Sequence, residues 1–186
     1  MLDDNYYNEK HIFIKDNTLY VLGNFNQDIS NNVIPEMNEI INNLSCLKNP
    51  EFEIIINSPG GYTYELFSLL YYLDIMKQSG IKIITRVIGE ASSCASMLAC
   101  YGDERYMYKY SVHLMHLGTY NMGNTQNFTD SERLFESSKN HFDKIVDIYE
   151  KHTKIKRKEL EKFLAHDYFY INAEKCLEYG LCDYII

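Results

Sequence analysis

Ile88-Gly89-Glu90-Ala91-Ser92-Ser93-Cys94-Ala95-Ser96-Met97-Leu98 is the stretch on which the reading of this chain turns. It follows residues 81–87, an apolar, β-branched run interrupted by charge only at Lys82 and Arg86, which reads as a buried strand. It leads into Met97-Leu98-Ala99, the apolar side of a helix. A strand that turns through small residues into a helix can present a serine hydroxyl at the turn. The helix start adds free backbone N–H groups and partial positive charge beside it. That setting suits an attacking oxygen and an oxyanion. Small residues also serve plain close packing of a buried helix, and the stretch alone does not separate the two uses. Ser92, Ser93 and Ser96 compete for the reactive position, with Ser93 the candidate nucleophile.

Outward from this turn the chain alternates strands and helices. Upstream, residues 11–14 and 19–22 read as two short strands, and Asp28 or Ser30 can cap a helix over 31–44. Residues 52–56 form a central strand ending in Asn57-Ser58-Pro59-Gly60-Gly61, and 64–77 form a strongly apolar helix stopped by Gly80. Downstream, 105–108 and 112–115 are short strands, and 117–128 is a Gly- and Asn-rich loop or irregular hairpin. Residues 129–152 form a long helix opened by a capping-box spacing, Thr129 to Glu132. Helices over 156–165 and 173–179 and a strand over 182–186 complete the chain. The alternation predicts an α/β fold with a mainly parallel sheet and flanking helices. No linker or repeat divides residues 1–186, so a single domain is expected. Apolar positions on 129–152 are sparse, as in a helix that projects and finds its partner on another subunit.

Composition narrows the class. The 186 residues are 46% hydrophobic and 24% charged, as in a soluble globular protein. No apolar run reaches membrane-spanning length, and the acidic start Met1-Leu2-Asp3-Asp4-Asn5 lacks the features of an export signal. Five scattered cysteines without a CxxC read as reduced thiols in a cytoplasmic setting. A net charge of −8 argues against a broad nucleic-acid interface. No HExxH or paired Cys and His spacing suggests a metal, and no cofactor motif is present. The Asn57–Gly61 turn is not a phosphate loop, because no Lys-Ser/Thr follows it.

A serine needs a base. Of six histidines, His116 is best placed, at the end of the strand over 112–115 and at the sheet edge expected for the serine turn. His113 lies on the opposite face by period-2 alternation. Pro59 and the paired glycines can shape a turn that aims N–H groups at an oxyanion, or can simply join strand to helix.

Taken in order, Asn57-Ser58-Pro59-Gly60-Gly61, Gly89-Glu90-Ala91-Ser92-Ser93, Ser111-Val112-His113-Leu114-Met115-His116 and Glu178-Tyr179-Gly180-Leu181-Cys182-Asp183 resemble the ClpP-type serine proteases. The resemblance runs from about Leu19 to the C-terminus. It implies the ClpP/crotonase fold, a homo-oligomeric barrel of stacked rings with an internal chamber, and peptide substrates. It makes Ser93 the nucleophile, His116 the general base, and the backbone N–H groups of Gly61 and Cys94 the oxyanion donors. Residues 129–152 match the family's handle helix. Counting back from Glu178-Tyr179-Gly180-Leu181 lands on Tyr168. A one-residue insertion in the loop over 168–172 moves the triad acid to Asp167. Cys94 and Ala95 stand where the family usually has Met and Gly. Only 18 residues precede Leu19, fewer than the family uses for its docking surface. An ATP-dependent unfoldase partner is therefore the implication these residues support least. Residues 117–124 are expected to wall the peptide groove. Two rivals share the fold: a non-catalytic structural subunit of such a barrel, and a crotonase-type CoA-binding enzyme. The Ser–His pair argues against both.

Overall fold

The computed structural model describes residues 11–116, 128–165 and 169–186. The chain opens with a hairpin, β1 (Ile12–Lys15) and β2 (Thr18–Val21). A π-helical turn (Ile29–Val33) runs into α1 (Ile34–Ser45). Then come β3 (Glu51–Ser58), α2 (Thr63–Gln78), β4 (Lys82–Ser92), α3 (Cys94–Cys100), β5 (Glu104–Met107) and β6 (Val112–Met115). The long α4 (Phe128–His152) is followed by α5 (Arg157–Ala165), β7 (Phe169–Asn172), α6 (Ala173–Tyr179) and β8 (Tyr184–Ile185).

The strands form one sheet in the order β1-β2-β3-β4-β5-β8, with β6 and β7 branching from β4. All pairings are parallel except β1 with β2 and β6 with β7. The fork in β4 positions the site. Ile84–Val87 pair with β5, while Glu90–Ser92 pair with β6. Near the change of partner, the Asn57 side-chain oxygen accepts the N–H of Glu90, and Gly89 sits so close to it that a Cβ there would lie 2.5 Å away.

Alternation along β3 turns Phe52, Ile54 and Ile56 into the core, and α2 meets the core with Leu66, Leu69, Leu73 and Met76. All seven residues of α3 are buried, which its small side chains permit. The C-terminal half of α4 buries Ile145, Val146 and Tyr149. Among the described side chains from 131 to 140 none is buried, and Phe135 is 69% exposed. Arg105 clamps distant pieces together. Its guanidinium bonds the Asp183 carboxylate and donates to the carbonyls of His152 and Gly180, which gives the Glu178–Asp183 motif a structural meaning.

Three local expectations change. Neither Asp28 nor Ser30 caps a helix: Asp28 accepts from the Asn32 side chain, and the Ser30 hydroxyl donates to Glu65 at 2.6 Å. Pro35, lacking an N–H, cannot supply an α-type bond there. The preceding turn is wider, with the Ile34 N–H donating to the Ile29 carbonyl. The segment read as a loop over 168–172 contains β7, because the open edge of β6 supplies a partner for a run too short to declare itself. Finally, α4 begins at Phe128, so Thr129 is already inside the helix and is not its cap.

Candidate active site

Ser93 sits between the end of β4 and the start of α3 with φ 55° and ψ −120°, a region that residues other than glycine rarely adopt. Its N–H donates to the Leu114 carbonyl at 2.9 Å, and its carbonyl accepts from Ser96 and Met97. Its hydroxyl makes no capping bond to the helix. A serine held on a strained strand-to-helix turn projects its hydroxyl from the backbone.

The three competing serines separate cleanly. Ser92 is buried and its hydroxyl donates to Glu90. Ser96 is wholly buried with its hydroxyl 3.0 Å from Nδ1 of His113. Ser93 alone of the three lines a cavity of about 650 Å³, which it shares with Gly61, His116, Met97, Tyr62, Tyr64, His141 and Ile145. His116 arrives there by register: Ser92 pairs with Leu114, and two residues further β6 has ended at His116.

The Asn57–Gly61 turn forms another wall. The Ser58 hydroxyl donates to the Gly23 carbonyl at 2.6 Å and accepts the Gly60 N–H at 3.1 Å, fixing the turn. Gly60, at φ 93°, lies against the serine elbow. A Cβ there would lie 2.7 Å from Ser93 Cβ and 3.0 Å from the Cys94 nitrogen. Gly60 and Tyr62 bond Phe25 through the Gly60 carbonyl and the Tyr62 N–H, leaving the N–H and carbonyl of Gly61 off that ladder. The Gly61 carbonyl instead accepts the Cys94 thiol at 3.1 Å. Among the described residues, neither the Gly61 nor the Cys94 N–H donates to a backbone carbonyl. Burial pushes the Cys94 thiol up to about 11, so it stays protonated and joins the two loops as a donor.

Asp167 and the expected groove wall over 117–124 lie outside the described residues. Among the described residues no three His, Cys, Asp or Glu are placed to hold a metal, and no helix is long and apolar enough to cross a membrane. Sequence reasoning missed the far side of the cavity. His141 looks like an unremarkable histidine in a polar helix, yet it stands four residues before Ile145 and so shares its face. Its ring packs between Tyr64 and Phe67, and burial lowers its proton affinity.

The chain is similar to known proteins over almost its full length. Residues 3–186 match the family model described as Clp protease. The ATP-dependent Clp protease proteolytic subunit of Deinococcus radiodurans is 30% identical over 177 residues, covering 93% of this chain and 81% of the relative.

Proposed function

Because the chain belongs to the Clp protease family, we propose that it is a serine endopeptidase, one peptidase domain, that cleaves peptides or unfolded proteins inside an oligomeric chamber. The observation that carries this is the shared cavity: of three serines in the turn, only Ser93 opens onto it, and His116 lines the same space.

In this reading the Ser93 hydroxyl attacks the scissile carbonyl while His116 takes its proton. Negative charge then develops on the carbonyl oxygen, where the N–H groups of Gly61 and Cys94 receive it. His116 returns the proton to the leaving amine, and a water repeats the sequence to release the acyl group. Asp167 is assigned as the carboxylate that holds the His116 tautomer. Register supports it: Phe169, two residues after Asp167, pairs with Met115, the residue before His116.

The assembly is assigned to stacked rings of identical subunits joined through α4, whose first half has no fully buried side chain among those described. Any ATP-driven unfolding is assigned to a separate partner, since the Gly-rich turn of this chain lacks the Lys-Ser/Thr of a phosphate loop. Five free cysteines fit a reducing, cytoplasmic compartment.

Fluorophosphonate labelling followed by peptide mapping tests the chemistry. One adduct is expected, on Ser93. No adduct would favour a non-catalytic subunit. Light scattering tests the assembly: a particle larger than a dimer is expected at micromolar concentration, and a monomer refutes the ring.

A further inference from the structure

One turn along α3 from Ser93 lies a second serine–histidine pair. Ser96 Oγ is 3.0 Å from His113 Nδ1, and both residues are fully buried. Tyr149 of α4, 1% exposed, lies against Ser96 as well. The three side chains come from α3, β6 and α4. None of them lines the cavity, so no substrate reaches this pair.

Volume alone does not explain a histidine here. His113 Nε2 has no hydrogen-bond partner among the described residues. A buried unpaired polar atom costs about 1–3 kcal/mol, which an apolar side chain would avoid. Burial and the nearby Arg105 push the imidazole down to about 4, so it is neutral at pH 7 and carries a single ring proton. What the histidine supplies in return is a directional bond to the helix that follows the nucleophile. Ser96 stands three residues after Ser93, and His113 three residues before His116.

We propose that Ser96, His113 and Tyr149 form a buried positioning strut that fixes α3 against β6 and α4, and so holds Ser93 and His116 in reactive geometry. The proposal rests on the reading of Ser93 and His116 as the reacting pair. The Ser93 N–H bond to Leu114 pins one point between α3 and β6. Elsewhere α3 is tied to Gly61 through the Cys94 thiol and to Thr85 through the Ala99 carbonyl, but neither bond reaches β6 or α4. The strut supplies a second point one turn away, joined to the long helix. Such support matters because displacements of about 1 Å in a reacting pair cost about 100-fold in rate.

The test compares the full-length protein with Ser96→Ala, His113→Leu and His113→Asn. It reads the fluorophosphonate labelling rate of Ser93 and the kcat and KM for a peptide, with melting temperature and light scattering as fold checks. Ser96→Ala and His113→Leu should slow labelling and kcat about 10-fold or more with KM unchanged. His113→Asn, whose amide nitrogen can occupy the Nδ1 position, should stay within about 3-fold. A packing role predicts the reverse order, since leucine matches the lost volume better than asparagine, and that order overturns the strut. Wild-type rates in both Ser96→Ala and His113→Leu overturn it too. Should His113→Leu fail to fold, Ser96→Ala, the loss of one oxygen, decides the matter. Absence of a Ser93 adduct in the unaltered protein sinks the reading of the reacting pair and the strut with it. A normal adduct with unchanged variants sinks the strut alone.

Discussion

Ser96 and His113 lie on α3 and β6, and Ser93 and His116 lie just off the ends of those same elements, three residues away along the chain in each case. The outer pair opens onto a cavity, and its serine sits on a strained backbone with no capping bond from its hydroxyl to the helix. The inner pair is sealed, and its serine is an ordinary helical residue hydrogen-bonded to the histidine. The contrast teaches that residue type and pairing do not define a nucleophile. Access and backbone conformation do, and a well-formed Ser–His hydrogen bond sealed in a core can serve as a support without being a reacting pair.

The largest test of that contrast is the loss of each hydroxyl. Ser93→Ala should reduce peptide hydrolysis by about 10⁴-fold or more while leaving the assembly intact by light scattering. Ser96→Ala should lose only the smaller factor expected of a support. Equal losses would erase the distinction.

Next in size is the carboxylate. Only the outer pair should depend on one, so Asp167→Asn should cut the rate near neutral pH by about 10³-fold or more with an unchanged melting temperature. A near-normal rate would move the acid to another residue.

The smallest expected effect is on stability, and it belongs to the inner pair. A free histidine titrates near 6.5, whereas His113 in the fold is pushed down to about 4, first by burial and then by Arg105. Between those values the unfolded chain binds a proton that the folded chain does not. The stability is therefore present in full above pH 6.5 and is lost as pH falls toward 4. By pH 5 the loss is about 2 kcal/mol, read from denaturant unfolding. His152 shifts the same way, also chiefly by burial, so the comparison is with His113→Asn, which should lose only the His113 share of the slope.

Most of the architecture was legible because its signals are local. The β-branched runs became β3 and β4, the apolar helices became α2 and α3, and α6 occupies the expected 173–179. The serine turn and the Pro-Gly-Gly turn were legible because each demands unusual backbone, which small residues announce. What stayed hidden depends on partners far away in sequence. β7 is a strand because β6 offers it an edge. Ser30 serves Glu65, 35 residues on, and not its own helix. His141 reads as a member of a polar helix until α2 closes on it. The period-2 argument did separate His113 from His116, but nothing in the spacing revealed that Ser96 would meet His113.

The Arg105 clamp also sets an order of events during synthesis. Asp183 leaves the ribosome 78 residues after Arg105, a delay of roughly 4–16 s at about 5–20 residues per second. Through that interval the edge of β5 has no β8, and the Arg105 guanidinium waits for the His152 and Gly180 carbonyls and the Asp183 carboxylate. The serine elbow, the Pro-Gly-Gly turn and His116 have all emerged by then, yet the elements that brace them have not closed. A nascent chain of this design presents its serine turn early and completes the bracing around it late.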